Sequence, residues 1–282
     1  MASPALRGAF WMTGAVLTFS VMAIAVRELL ERMDAFQVLF WRVGTALLLL
    51  LAFLPRAGLG ALRTRRIGLH ATRNSFHFFA QLAWIYAIGV LPLATVFAIE
   101  FIFPVWVALL AVLLLGERMN RGRMVMLILG LTGVLIILRP GSGFIHPAAL
   151  LMLAGSMGFA VNTITTKQLS GTDSTIAIIF WMLIMQVPPA LAAALPGWVA
   201  PQLADLPWIC ALGVCNLGAH LCLTRSLRLA DATLVVPIDF MRLPLIAFIG
   251  AMFYAEPLDP LVFIGAAVIF AGSYYSLSRE RR

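Results

Sequence analysis

The chain has 282 residues, of which 62% are hydrophobic and only 11% are charged, and its formal net charge is +8. A water-facing surface needs far more charge than this, so the composition excludes a soluble domain. The chain is therefore predicted to lie in a lipid bilayer, where each helix needs about 20 apolar residues to cross the hydrocarbon core.

Taken in chain order, the apolar stretches end at charge clusters or at proline and glycine, which is where helices stop. They predict an all-α integral membrane fold of ten helices, at 8–26, 34–54, 71–90, 93–115, 123–139, 147–168, 174–195, 207–227, 232–254 and 259–278. Five of these helices fall within residues 1–140 and five within 141–282.

The two halves repeat one another. Phe40-Trp41 recurs 140 residues later as Phe180-Trp181, and Glu100-Phe101 recurs 139 residues later as Asp239-Phe240. Because each copy has an odd number of helices, the second copy is predicted to enter the membrane upside down. The chain is thus predicted to consist of two inverted five-helix repeats.

The basic residues predict the orientation, since short cytoplasmic loops retain Lys and Arg. With both termini cytoplasmic, most of the 20 Lys and Arg residues fall on the inside, including Arg73 at the cytoplasmic end of the third helix. The exceptions are Arg27, Arg32 and Arg139 outside, and Arg42 and Arg242 within helices. A multi-pass membrane protein with both termini in the cytoplasm is predicted, whose scattered positive charges meet anionic lipid and no nucleic acid.

Polar side chains at membrane depth are costly, so they are candidates for function. His77 and Gln81 lie one helical turn apart on the third helix, with Trp84 a further turn along. Asn216 and His220 have the same spacing on the eighth helix, 139 residues later. These stripes predict either a shared central cavity or hydrogen bonds that pack helices together.

Four further charges are buried by this assignment, and they sum to zero. They are Arg42, Glu100, Asp239 and Arg242. Asp239 and Arg242 are i, i+3 neighbours that can pair within one helix, and Arg42 is predicted to pair with Glu100 across two helices. The four form either an ion-pair network that holds the halves together or a direct contact with substrate.

Trp41 and Trp181 occupy equivalent places in the second and seventh helices. They are predicted either to sandwich an aromatic ligand or to pack in the core. Asn162 on the sixth helix makes the second-repeat side of the predicted cavity the more polar one. The small residues of the fifth and tenth helices, Gly130, Gly133, Gly265 and Gly272, predict packing faces that serve the bundle or a homodimer.

The halves resemble EamA-type domains of the drug/metabolite transporter superfamily over nearly the whole chain. The resemblance rests on Ala94-Thr95 onward to Pro104, Gly116-Glu117-Arg118 and Gly130–Val134, with counterparts at Ala232-Thr233, Ala255-Glu256 and Gly272. Ala255 departs from the glycine of the first copy. The resemblance implies a central pathway walled by helices one to four and six to nine, with the fifth and tenth at the periphery.

Within the superfamily, the chain is most similar to bacterial inner-membrane exporters of amino acids, including the YddG type that handles aromatic ones. The resemblance implies export by alternating access, favouring aromatic and other large apolar amino acids or related small metabolites. Another amphipathic metabolite, a drug or a lipid-linked substrate remains an alternative. No nucleophile, metal-ligand or nucleotide motif is present in the sequence, so neither an enzyme nor a cofactor is predicted.

Overall fold

The computed structural model describes residues 4–116, 119–140, 146–230 and 238–280. Across these residues the chain is helical and contains no strand. The helices are α1 (Pro4–Leu29), α2 (Ala35–Ala57), α3 (Ile67–Val90), α4 (Leu93–Glu100), α5 (Phe103–Leu115), α6 (Arg121–Leu138), α7 (Pro147–Ser170), α8 (Thr175–Ala194), α9 (Leu206–Leu229), α10 (Arg242–Tyr254) and α11 (Pro260–Glu280). Short 3₁₀ turns follow α2 at Leu59–Leu62 and α8 at Leu195–Gly197.

Eight of the described segments are long and apolar enough to cross a membrane, and one of them, Leu93–Leu114, comprises α4 and α5 together. α3 lies outside this set although it has 24 residues, and its buried residues include Arg73, Asn74 and Gln81. α10 lies outside it because it has only 13 residues. The multi-pass membrane fold is confirmed, and the exact number of ten spans stays a prediction.

Two helices that the sequence predicts as continuous are interrupted. The predicted helix 93–115 turns at Phe101 and Ile102, and the predicted helix 232–254 turns at Met241, after helical residues 238–240. A proline follows each break, at Pro104 and Pro244. Its ring clashes with the carbonyl group four residues earlier, which explains why the helix breaks there. The breaks are 139 to 140 residues apart, at equivalent places in the predicted repeat.

The turns at the ends of α5 and α10 share one conformation despite their different residues. Gly116 ends α5 with φ 67°, and Ala255 ends α10 with φ 51°, both in the left-handed region. An L-residue costs roughly 1 kcal/mol there. The alanine therefore keeps the turn of the glycine at some energetic cost. Glu117, Arg118, Ala232 and Thr233, on which part of the resemblance rests, lie outside the described residues.

Helices of the first half pack mainly against helices of the second half. α1 packs on α9, α3 on α7, α2 on α8 and α9, α4 on α10, and α6 on α11. Where α6 packs on α11, a Cβ atom on Gly133 would lie 2.5 Å from the carbonyl oxygen of Gly265. The glycine faces predicted for the bundle or for a homodimer are thus used within one chain. A homodimer through the predicted fifth and tenth helices stays a prediction.

α2 and α8 run antiparallel, which defines two ends of the bundle. Gln37, near the start of α2, exchanges hydrogen bonds of 2.6 and 3.0 Å with the backbone of Val199, beyond the end of α8. At the other end, the indole of Trp181 donates to the carbonyl oxygen of Leu62, beyond the end of α2, at 3.0 Å. We call the first end the Arg27 face and the second the Arg66 face, after a residue at each.

Candidate functional site

The two helix breaks bring the acidic residues of α4 and of the segment 238–240 to one arginine. Nη2 of Arg242 lies 3.4 Å from Oε1 of Glu100 and 3.5 Å from Oδ2 of Asp239. The predicted i, i+3 pair of Asp239 and Arg242 is confirmed. The guanidinium also packs over three aromatic rings, with centroid distances of 4.7 Å to Phe19, 5.2 Å to Phe97 and 5.1 Å to Phe101.

Arg42 does not pair with Glu100, so that prediction was wrong. The carboxylate of Glu100 is held by Arg242 and by the indole of Trp84, whose Nε1 donates to Oε2 at 2.8 Å. Arg42 instead lies over the Trp84 ring at 5.4 Å, and its Nη2 donates to Oδ1 of Asn216 at 3.5 Å. Trp84 thus separates the cation from the carboxylate, touching one with its face and the other with its N–H.

Several buried polar atoms of this central group have no hydrogen-bond partner in the described part of the chain. They are Nε and Nη1 of Arg42, Nδ2 of Asn216, Oδ1 of Asp239 and Nε of Arg242. An unpaired buried polar group costs about 1 to 3 kcal/mol, so native proteins seldom leave several together without a role. We call Arg42, Trp84, Glu100, Asn216, Asp239 and Arg242 the central cluster.

His77 and Gln81 join α3 to α8 through a residue that the sequence analysis missed. Nε2 of Gln81 donates to Oε1 of Gln186 at 2.6 Å, and Nε2 of Gln186 lies 3.1 Å from Nδ1 of His77. The only signal in the sequence was one amide within the apolar stretch of α8. The described contacts of His77 and Gln81 match the helix-packing interpretation of these residues. The ring of His77 also lies edge-on to Phe159 at 5.9 Å.

Arg73 is a buried cation that the sequence analysis counted among the cytoplasmic charges. It lies inside α3, with Nε donating to Oγ1 of Thr166 at 2.7 Å and Nη1 donating to the carbonyl oxygen of Ile178 at 3.2 Å. Its position near the start of an apolar stretch made it look like a marker of topology. The charges of Arg73 and Arg42 both act on His77 and His220, so these four groups share one electrostatic environment.

Two further predicted site residues are His220 on α9 and Asn162 on α7. His220 on α9 lies edge-on to Phe19 at 6.4 Å, and the Phe19 ring in turn lies 4.7 Å from the Arg242 guanidinium. Asn162 on α7 has a buried Oδ1 without a hydrogen-bond partner in the described part of the chain. Asn162 lies one helical turn from Thr166, the residue that binds Arg73.

Trp41 and Trp181 do not face one another, so the predicted sandwich is not formed. Trp41 lies near the Arg27 face, with its ring 5.8 Å from the ring of Trp198. Trp181 lies near the Arg66 face, where it donates to the carbonyl oxygen of Leu62 and lies 6.2 Å from the ring of His70. The antiparallel course of α2 and α8 separates the two indoles, because equivalent positions then fall at opposite ends.

At the Arg27 face, one carboxylate ties several helices together. Glu256 pairs with Arg27 of α1 at 3.1 Å and accepts a hydrogen bond from the backbone N–H of Leu93 at 2.7 Å. Nearby, the hydroxyl of Tyr254 donates to Glu28 at 2.6 Å. Burial raises the pKa of the Glu256 carboxyl above its ordinary value, although Leu93 and Arg27 act in the opposite direction.

At the Arg66 face, contacts join α3 to the loop between α7 and α8. Nε2 of His70 lies 2.8 Å from Oδ2 of Asp173, and both side chains are buried. Burial raises the pKa of Asp173, but hydrogen bonds from Thr64, His70 and Thr172 outweigh it, so the pKa is lower than usual. Nη1 of Arg66 also donates to the carbonyl oxygen of Gln168 at 2.8 Å.

Comparison with known families identifies one that covers both halves of the chain. The model of the EamA-like transporter family matches residues 6–139 and again residues 146–278. The chain belongs to the EamA-like transporter family. Membership of the EamA-like family, which is part of the drug/metabolite transporter superfamily, makes it a membrane transporter and not a member of an enzyme family.

Several relatives whose names give a substrate match nearly the whole length of this chain. A riboflavin transporter of Rhizobium johnstonii is 32% identical over 99% of this chain and 94% of the relative. An S-adenosylmethionine uptake transporter of Rickettsia prowazekii is 25% identical, over 98% and 94%. A pseudopaline exporter of Pseudomonas aeruginosa is 27% identical, over 95% and 94%. None of these names specifies an amino acid exporter, so that narrower substrate class stays a prediction.

A solved crystal structure shares the fold of this EamA-like chain. It superposes with a TM-score of 0.68 at 17% sequence identity and covers 98% of both chains. At this identity the likeness shows the fold alone.

Proposed function

We propose that this protein carries a small organic metabolite across the membrane by alternating access, with the substrate held at the central cluster. The observation that carries the proposal is the pair of helix breaks, which place Glu100 and Asp239 against Arg242. Secondary transporters typically bind substrate near the membrane midplane, where discontinuous helices expose polar groups. The substrate contacts that we propose come from Arg42, Trp84, Glu100, Asn216, His220, Asp239 and Arg242.

The aromatic residues around the cluster favour a substrate with a planar ring. The rings of Phe101 and Phe240 stack at 4.1 Å, and Phe19, Phe97 and Trp84 lie against the two central guanidinium groups. Riboflavin, which combines a flat ring system with polar groups, is the first candidate because the relative that is 32% identical is named for it. An aromatic amino acid is the second candidate, because a zwitterion matches the mixed charges of Arg42 and Asp239.

The proposed mechanism uses residues 1–140 and 141–282 as two inverted repeats. Equivalent helix breaks and packing between the halves support this division. In such an arrangement the two halves can exchange conformations, so that the central cluster faces first one side of the membrane and then the other. Both termini then lie on one side, which we propose is the cytoplasm, and helices of the first repeat oppose those of the second in direction.

Counterflow in proteoliposomes tests the proposal directly. Vesicles are loaded with unlabelled riboflavin, labelled riboflavin is added outside, and S-adenosylmethionine, phenylalanine and a drug are tried as competitors. We expect accumulation above protein-free vesicles, and its loss in Glu100→Gln and Asp239→Asn. The matched control is Glu31→Gln, because Glu31 is exposed and lies outside the central cluster.

Two outcomes would contradict the proposal. Counterflow that is unchanged in both central variants would remove the site from the central cluster. Absence of accumulation for every water-soluble solute, together with movement of a fluorescent lipid-linked sugar between leaflets, would favour the flippase alternative. A rate that does not change with an imposed proton gradient would separate facilitated transport from coupling to protons.

A further inference from the structure

Arg42 is a buried guanidinium at the centre of the bundle that makes no direct ion pair with a carboxylate among the described residues, although the charge of Glu100 acts on it from beyond Trp84. Arg42 is only 4% exposed, and neither its Nε nor its Nη1 has a hydrogen-bond partner in the described part of the chain. Nη2 makes one contact, at 3.5 Å, with Oδ1 of Asn216. An arginine keeps its charge at any physiological pH, and an uncompensated buried charge costs several kcal/mol. Arg42 is therefore a buried cation without a direct ion-pair partner among the described residues.

The other two buried arginines of the centre are already engaged. Arg242 lies between two carboxylates, those of Glu100 and Asp239. Arg73 uses its N–H groups on the Thr166 hydroxyl and the Ile178 carbonyl oxygen, contacts that fix α3 to its neighbours. Among these three cations, Arg42 has two nitrogen atoms, Nε and Nη1, without a hydrogen-bond partner in the described part of the chain, whereas Arg242 has one, Nε.

The neighbour of Arg42 adds a further donor of the same kind. Asn216 turns its oxygen toward Arg42, and its Nδ2 is buried without a partner in the described part of the chain. Three N–H-bearing atoms, Nε and Nη1 of Arg42 and Nδ2 of Asn216, thus sit on two side chains in contact, with no acceptor assigned to them. Each oxygen of a carboxylate or phosphate accepts two hydrogen bonds, and arginine binds these groups with paired N–H donors.

Trp84 contacts the face of the Arg42 guanidinium, so the N–H groups at the edge of the guanidinium stay available for hydrogen bonds. The ring lies 5.4 Å from Cζ of Arg42, on the face of the cation, and stacking of this kind does not consume N–H donors. The indole is itself fixed by its hydrogen bond to Glu100. The Trp84 ring therefore positions Arg42 from one side without supplying a negative charge.

We infer that the substrate carries an oxyanion, a carboxylate or a phosphate, and that Arg42 binds it together with Asn216. A neutral carbonyl or hydroxyl oxygen would satisfy one donor but leave the charge of Arg42 without compensation. The inference rests on the transport function proposed above and narrows its substrate class. It places an aromatic amino acid ahead of riboflavin, because riboflavin carries no carboxylate or phosphate. It also makes Arg42 and Asn216 the residues that select charged members over neutral members of a series of related metabolites.

Matched probes that differ only in the oxyanion test the inference. Binding to the purified, full-length protein is measured by isothermal titration for phenylalanine against phenethylamine, and for riboflavin 5′-phosphate against riboflavin. We expect the oxyanion member of at least one pair to bind at least about tenfold more tightly, the scale of one charge-assisted hydrogen bond. Arg42→Gln should abolish that preference, and Arg42→Lys should keep part of it because the charge remains.

The control variant is Arg225→Gln, which removes an exposed arginine that lies 4.7 Å over the Trp11 ring, outside the central cluster. It should leave the oxyanion preference unchanged. Thermal melting of each variant checks that it is folded, and Arg42→Lys keeps the test valid if Arg42→Gln does not fold. A wild-type protein without any oxyanion preference, or an Arg42→Lys protein that binds every probe as the wild type does, would overturn the inference.

Counterflow with the same probes separates this inference from the proposed function. If the wild type carries riboflavin yet shows no oxyanion preference, the transport function stands and the role of Arg42 falls. If oxyanion binding depends on Arg42 but no probe accumulates, the binding site stands and transport of these compounds falls.

Discussion

Phe101 and Phe240 stack with their ring centroids 4.1 Å apart and their planes only 15° apart. Each phenylalanine directly follows the acidic residue that faces Arg242, and each lies at a helix break. The stack therefore fastens the two breaks to one another. It is a contact between equivalent positions of the predicted repeat, so it lies where the two halves meet.

Loss of this stack should weaken the junction between the halves. We predict that Phe240→Leu lowers the free energy of unfolding by about 1 kcal/mol, the size of a stacked aromatic pair beyond its buried area. Transport should fall more than stability, because the aligned acidic residues lose their support. Melting in detergent and counterflow would measure the two effects. Phe248→Leu is the control, because Phe248 is 58% exposed; equal losses in both variants would contradict the role of the stack.

Removal of each of the two central arginines should change the stability of the protein differently. Arg242→Gln leaves Glu100 and Asp239 without their shared cation, and we predict a loss of about 1 to 3 kcal/mol. This is less than the ~3–5 kcal/mol for a fully buried pair, because the Asp239 side chain keeps 25% exposure. Arg42→Gln removes an uncompensated charge and should raise the melting temperature or leave it unchanged. Unfolding in the absence of substrate checks both, and a large loss in Arg42→Gln would show that its charge is already compensated.

The His70–Asp173 contact should make stability depend on pH at the acidic end. The pKa of Asp173 is lower in the folded chain than its ordinary value of 3.8. Its contribution is therefore fully present above about pH 4 and is lost as the pH falls through the lower folded value. We predict that Asp173→Asn costs about 1 to 2 kcal/mol at pH 7 and less at pH 3, which lies below the ordinary pKa of the group. Melting curves at both pH values measure this; an equal cost at each would contradict it.

The glycine contact between α6 and α11 should not tolerate a methyl group. A Cβ on Gly133 would lie 2.5 Å from the Gly265 carbonyl oxygen, so the helices would have to separate. We predict that Gly133→Ala lowers the free energy of unfolding by about 1 to 3 kcal/mol. Gly68→Ala is the matched control, because nothing lies within 4 Å of a Cβ there and alanine favours the helix. Similar melting of the two variants would show that the contact is looser than the structure indicates.

The sequence predicts the membrane class, most helix positions and the residues at the centre, because each depends on local composition or spacing. It does not predict which partners those residues choose. Spacing alone pairs Asp239 with Arg242, but the choice of Glu100 between Arg42 and Arg242 depends on how α2, α4 and α10 pack. Nothing within one helix specifies that packing.

Two further residues show where local reasoning fails. Arg73 was counted as a cytoplasmic cation because it lies near the start of an apolar stretch, yet α3 begins six residues before it and the bundle buries its side chain. Gln186 was overlooked because a single amide in an apolar helix has no periodic signal. Its role exists only through His77 and Gln81 on another helix.

The carboxylate of Glu256 touches a side chain of α1 and the first backbone N–H of α4 at once. These segments cannot part from it one after another without leaving a buried charge half-solvated, so separation at the Arg27 face should be concerted. If the contacts of Glu256 break together, a partly separated intermediate is almost unpopulated. In the alternating access that we propose, concerted separation at the Arg27 face would limit the leakage of ions across the membrane during each cycle.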